Sequence, residues 1–144
     1  MKKFVLVSLI AGSLFSGQAF AACTPATRLN PAQISALLAS NTVCVPAATV
    51  DPMTWQELHK PGGVLTDYKR GPNTGPDQSK DVGTWTVNGT GQGTASVTHT
   101  YSGAGGTYTY SVHGTGAVDT NHSFCPIPGG AEIVARVKRG GGAC

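Results

Sequence analysis

Residues 83–114 read GTWTVNGTGQGTASVTHTYSGAGGTYTYSVHG. Thr, Tyr, Val and Trp alternate in short runs, and glycine clusters break those runs. Period-two alternation bounded by Gly and Asn sends side chains to opposite faces of a pleated backbone, so the stretch reads as half-buried β-strands joined by turns. One hairpin can be registered. With Gly103 to Gly106 as its loop, Tyr101 faces Tyr108, His99 faces Tyr110 and Val97 faces Val112. The large apolar residues then share one face, with Thr98, Thr100, Thr107, Thr109 and Ser111 on the other, and a one-residue slip would mix them.

The remaining segments read as strands completing that sheet, with one helix. Leu29–Ser40 has Asn30 as N-cap, Pro31 at the first helical position and an apolar stripe of Ile34, Leu37 and Leu38. Asn41 is expected to end it in a left-handed cap. Thr42–Val45 turns β-like at once. Trp55–Lys60 and Val64–Arg70 flank Pro61-Gly62-Gly63, a hairpin signal. With Lys60–Gly63 as the loop, His59 faces Val64, Glu57 faces Thr66 and Trp55 faces Tyr68. Neither face is cleanly apolar, and a short helix from Asp51 to Leu58 is the local alternative. Gly71–Asp81 is a polar loop by composition. Gly83–Val87 is a strand, Asn88–Gly93 a turn, and His122–Cys125 and Glu132–Arg139 are the last strands, with Ile133, Ala135 and Val137 facing in. About eight short, sequentially adjacent strands with few helices predict an all-β antiparallel meander that closes into a barrel, because closure removes exposed edges.

Met1 to Ala21 has the form of a secretory leader: Lys2 and Lys3, an apolar run from Phe4 to Phe15, then Ala19-Phe20-Ala21. No stretch is long and apolar enough to be a transmembrane segment. Residues 22–144 are then expected to form a single exported domain, periplasmic or secreted. The chain's charge of +3 falls to +1 once Lys2 and Lys3 are removed, which leaves no electrostatic footprint for nucleic acid. Four cysteines remain: Cys23, Cys44, Cys125 and Cys144. An even number in an exported chain implies two disulfides. The expected pairs are Cys23–Cys44 and Cys125–Cys144, each bracketing a local unit. Phe20-Ala21-Ala22-Cys23 also approaches a bacterial lipobox, so anchorage through an acylated Cys23 is the alternative.

Chemistry is sparse. The four histidines have no HxH or HxxxH spacing, so no metal and no cofactor are implied. His99 and His113 fall on opposite faces of their hairpin. Glu57, His59 and Asp67, with Lys69 nearby, are the residues an acid–base enzyme could use, but the plain reading is an exposed polar hairpin edge. No nucleophile motif occurs, and no catalytic residue is assigned. The aromatic set Trp55, Tyr68, Trp85, Tyr101, Tyr108 and Tyr110, with His99 beside it, is expected to pack the core or line a cup at one end of the barrel.

WQELHKPGGVLTDYKRGP followed by VGTW, after a helix ending in NTVC, resembles small exported proteobacterial proteins of unassigned function. Gly83-Thr84-Trp85 is similar to the G-x-W of lipocalins and other calycin barrels, although there it opens the first strand and here it falls midway. The resemblance implies a calycin-like barrel and transfers no catalytic residue. The expected function is an exported binding module for a small apolar or amphipathic ligand. The alternative is an inhibitor or envelope accessory that meets a protein partner through residues 71–81.

Intact mass of the exported protein checks the leader and the cysteines together. A chain starting at Ala22 and lighter by four hydrogens than its reduced form is expected. A diacylglycerol-sized increment on Cys23 would indicate the anchored form instead.

Overall fold

The computed structural model describes residues 23–47, 55–69 and 78–144. The segment expected to be a leader, the Asp51-Pro52 segment and most of the expected polar loop before Gln78 lie outside the described residues. A 3-10 turn at Pro25–Thr27 and helix α1 (Pro31–Leu38) precede eight strands. These are β1 (Thr42–Val45), β2 (Trp55–Lys60), β3 (Val64–Lys69), β4 (Gln78–Asn88), β5 (Ser96–Tyr101), β6 (Gly106–His113), β7 (Thr120–Ile127) and β8 (Ile133–Lys138). Each pairs antiparallel with the next, and β1 pairs with β8, so the meander is a closed eight-stranded barrel.

Helix α1 forms where its signals stand. Asn30 accepts from the Gln33 backbone while the Gln33 side chain accepts from the Asn30 backbone, each at 2.9 Å, closing a capping box. Ile34, Leu37 and Leu38 are buried in one cluster with Val43, Leu65, Val97, Val112, Phe124, Ala135 and Val137. The left-handed residue after the helix is Ser40 rather than Asn41. Asn41 instead donates to the Leu37 carbonyl at 2.7 Å and accepts from Gly140 N at 2.8 Å, joining the helix end to the C-terminal segment. This apolar plug fills the barrel end where β2 runs into β3 and β4 into β5.

The β5–β6 faces are as the alternation predicts, but the pairing is displaced by two residues. Val97 faces Tyr110 and His99 faces Tyr108, because the turn occupies Ser102–Gly105. A shift of two keeps every side chain on its face. The β2–β3 register differs by one: His59 faces Leu65 and Glu57 faces Asp67. The loop is three residues, with Gly62 and Gly63 at positive φ, rather than four. A shift of one moves all of β3 to its other face, so Leu65 and Asp67 turn inward with Trp55, Glu57 and His59. Trp55–Lys60 is strand, which removes the helical alternative for that part. Strand β4 begins at Gln78, inside the segment read as loop, because Ser79, Lys80 and Asp81 pair with β3.

Leu65 faces Gly83 while Thr66 faces Asp81, so Val82 is the extra residue of a bulge. A Cβ on Gly83 would collide with the Thr100 carbonyl, which is why glycine precedes Trp85 here.

The disulfides are Cys23–Cys125 and Cys44–Cys144, not the local pairs expected from spacing. Each ties a terminal segment to the outer face of a distant strand. Residues 23–29 cross β6, where Leu29 N bonds Val112 O at 2.8 Å and Gly114 N bonds Thr27 O at 2.9 Å. The last residues cross β1–β3, where Thr42 Oγ1 donates to Gly140 O at 3.0 Å and Cys144 N donates to Gln56 Oε1 at 2.7 Å. Bonding to Cys125 also occupies the sulfur that acylation of Cys23 would require.

Both bridges span about 100 residues, where loop closure is worth on the order of 4 kcal/mol. Non-reducing peptide mapping is expected to recover the 23–125 and 44–144 linked peptides. The double variant Cys44→Ser/Cys144→Ser is expected to lose stability of that order in urea titration.

Candidate functional site

The barrel end opposite α1 is open. There the first residues of β2 and β8, the end of β5, the β5–β6 turn and the bulged part of β4 surround a cavity of about 530 Å³. Alternation places Trp55, Tyr101, Tyr108, Tyr110 and Ile133 on its walls, and the bulge adds Val82. Tyr101 and Tyr108 meet edge to face at 5.8 Å, and Trp55 and Tyr110 lie 6.2 Å apart at a tilt. Phe124, fully buried, packs beneath Trp55 and Tyr110. Lys80 and Asp81 stand at the mouth, with Asp81 bonded to Lys60 Nζ at 2.7 Å and Thr66 Oγ1 at 2.6 Å.

Besides Asp81 at the mouth, Glu57 and Asp67, cross-strand neighbours on β2 and β3, bring carboxyl groups to this cavity. Glu57 is 3% exposed, not the solvated hairpin edge expected from sequence. Tyr101 donates its hydroxyl proton to Glu57 Oε2 at 2.9 Å. Burial raises the Glu57 carboxyl to about 7, outweighing the hydrogen bonds from the Trp55 and Tyr101 side chains that favour its ionised form. The same burial, reinforced by the Glu57 charge, pushes the Tyr101 hydroxyl up.

Behind Glu57 lie His59 and His99, both 0% exposed. Their tautomers follow from one carbonyl. His59 Nδ1 is 3.3 Å from the Glu57 backbone oxygen, an acceptor only, so Nδ1 carries the proton. Desolvation first, and then the neighbouring His99, hold His59 well below its ordinary value, so its Nε2 is a lone pair. That lone pair is 3.0 Å from His99 Nε2, which must therefore donate. His99, lowered by burial to about 4, is also neutral, and its Nδ1 is a second lone pair. This Nδ1 lies 3.8 Å from Glu57 Oε2 and has no hydrogen-bond partner among the described residues. With Glu57 raised and His99 lowered, the contact is not an ion pair. It is an acceptor facing a carboxyl that holds or releases one proton near neutrality.

Of the seven residues singled out as ligand-binding, Trp55, Tyr101, Tyr108 and Tyr110 line the cavity. Tyr68 points outward and accepts from Gly142 N at 3.0 Å, bracing the C-terminal segment. Trp85 sits deeper, donating Nε1 to Lys60 O at 3.0 Å and meeting His59 edge to face at 5.2 Å. His99 is sealed behind Glu57. Of the residues an enzyme could use, Glu57 and Asp67 meet at the cavity and His59 does not reach it. His113 and His122 serve elsewhere: His113 bonds the Thr24 carbonyl and Ser111 Oγ beneath the N-terminal segment, and His122 bonds the Thr120 carbonyl and Gly116 N. No three His, Cys, Asp or Glu side chains gather as a metal site among the described residues. Sequence reading did not place Val82, Ile133 or the two carboxyls at the cavity. Val82 depends on the bulge and Asp67 on the β2–β3 register. For Glu57 a signal existed: it shares a strand face with Trp55.

The eight-stranded antiparallel closure is consistent with a calycin-like fold. Comparison with protein-family models, with curated proteins and with solved structures returns no match.

Stability should record the buried groups with opposite signs. Glu57 binds its proton more tightly folded (about 7) than its ordinary 4.5, so stability present below 4.5 is lost as pH rises through 7. His59 and His99, depressed from 6.5, contribute stability present above 6.5 that is lost as pH falls below it, down through about 4 for His99. Two histidines outweigh one carboxyl below 6.5, and above it only Glu57 still titrates, so the optimum is expected near pH 6.5. Urea titration of Glu57→Gln is expected to show a gain approaching about 3 kcal/mol at pH 8 and little change at pH 4.5. Equal effects at both pH values would mean that Glu57 titrates as an ordinary carboxyl.

Proposed function

We propose that this protein is an exported binding module that holds one small amphipathic molecule in the open end of its barrel. The observation that carries this reading is the cavity itself: about 530 Å³, aromatic on its walls and polar at its floor. Sites for small molecules are concave, mostly apolar and supplied with a few placed polar groups, at volumes of roughly 300–1,000 Å³. Side chains fill the barrel as far as Phe124 and His99 and stop there, and an apolar plug closes the other end. Both disulfides suit an oxidising compartment outside the cytoplasm, in keeping with the leader at residues 1–21.

Saturable binding of the neutral dye N-phenyl-1-naphthylamine, with a change in Trp55 emission, is the expected result. Ile133→Trp, which fills the cavity from β8, is expected to weaken the dye by about ten-fold or more. Undiminished binding to that variant would place the dye elsewhere and overturn the reading.

A further inference from the structure

We propose that the polar end of the bound molecule is a protonated amine, which takes the place of the proton on the Glu57 carboxyl. This rests on the cavity being a ligand site and names the chemistry that it selects.

The floor offers acceptors. Glu57 presents a carboxylate when ionised, and Asp67 presents a second carboxyl from β3. Behind Glu57, outside the cavity lining, His99 Nδ1 is a fully buried lone pair without a partner among the described residues, 3.8 Å from Glu57 Oε2, so that side of the carboxyl offers an acceptor and no donor. The donors beside Glu57, the Tyr101 hydroxyl and the Trp55 side chain, are already committed to it. An anion would meet like charge. An alcohol brings one proton and no charge, whereas an ammonium group brings three protons and a charge. The walls suit the same guest, because Trp and Tyr faces attract organic cations. Lys80 is the one basic residue lining the cavity, and it stands exposed at the mouth.

The titratable and charged groups facing Glu57 can be named element by element. His59 lies beyond it on β2, Asp67 on β3, Lys80 and Asp81 on β4, His99 and Tyr101 on β5, and Tyr108 and Tyr110 on β6. Its partner on β1 is Val43, and β8 brings Ile133 to the cavity. Burial keeps both histidines neutral and pushes the Tyr101 and Tyr110 hydroxyls up, so neither pair can supply the counter-charge. Apart from Lys80, which is exposed at the mouth, an ionised Glu57 is answered by a proton or by a cation from outside. When the carboxylic acid meets an alkylammonium ion, the O–H bond breaks, the proton leaves to solvent, and the carboxylate remains paired with the ammonium. No electrons are exchanged.

Isothermal titration of the exported, disulfide-bonded protein tests this with tryptamine and its neutral isostere tryptophol. Tryptamine is expected to bind about ten-fold or more tightly than tryptophol at pH 8. Below pH 7 its affinity should fall by about ten-fold per unit as the proton competes, with roughly one proton released per ligand at pH 6 in buffers of different ionisation heat. Glu57→Gln is expected to abolish the preference for tryptamine, so that the two indoles bind alike. Equal, pH-independent affinities for the two indoles overturn the amine proposal but leave the cavity reading intact. Failure of both indoles together with the dye overturns both. The pH dependence and the isostere comparison use the unaltered protein, so the test stands even where Glu57→Gln folds poorly.

Discussion

Closure depends on β1, a strand of four residues. Thr42, Val43 and Cys44 pair with Lys138, Val137 and Arg136 on one side, while β2 takes the other. Without that short ladder the meander would end in two open edges, and its interior groups would face water. The seam is reinforced where it is thinnest. Thr42 bonds Gly140 and Gly142, Asn41 receives Gly140 N, and Cys44 is covalently joined to Cys144. The C-terminal glycines thus fold back as a clamp over β1–β3. Cys23–Cys125 holds residues 23–29 across β6 and β7 in a similar way.

A barrel stabilised in this way can tolerate an interior that hydrophobic packing alone would not select. Glu57, His59 and His99 sit at mid-depth, where a buried carboxyl and two imidazoles cost free energy unless each polar atom is met. Most are met: the Glu57 carbonyl by His59, His59 by His99, and the Glu57 carboxyl by Tyr101. The chain of bonds ends at His99 Nδ1, the one buried side-chain polar atom left over among the described residues. An unmet acceptor beside a carboxyl that titrates near neutrality is a poor device for stability. It is a reasonable one for receiving a proton or a positively charged group.

Much of the architecture was legible. Strand alternation identifies every strand as an element, although the polar composition of Gln78–Asp81 predicts loop. Asn30-Pro31 marked the helix start because capping is a local bargain between neighbouring residues. Inward faces could be assigned on β5, β6 and β8, where apolar and polar residues separate cleanly. On β2 and β3 they could not, since Trp55, Glu57 and His59 share a face that mixes apolar and polar side chains. One residue of loop length then decided whether Asp67 or Thr66 turned inward. The candidate site sits on that ambiguous hairpin, so its carboxyls were the least readable part of the chain.

By itself the sequence determined the all-β class, the number of strands, the meander order and the presence of four cysteines to be paired. These follow from periodicity, turn residues and composition, which act over a few neighbouring positions. Tertiary structure alone decided the rest: the disulfide partners, the two hairpin registers, the bulge that turns Val82 inward, and the meeting of Glu57 with His99 across 42 residues of sequence. Each depends on how the closed sheet brings distant strands side by side. Spacing along a chain carries no measure of that distance until the barrel has closed.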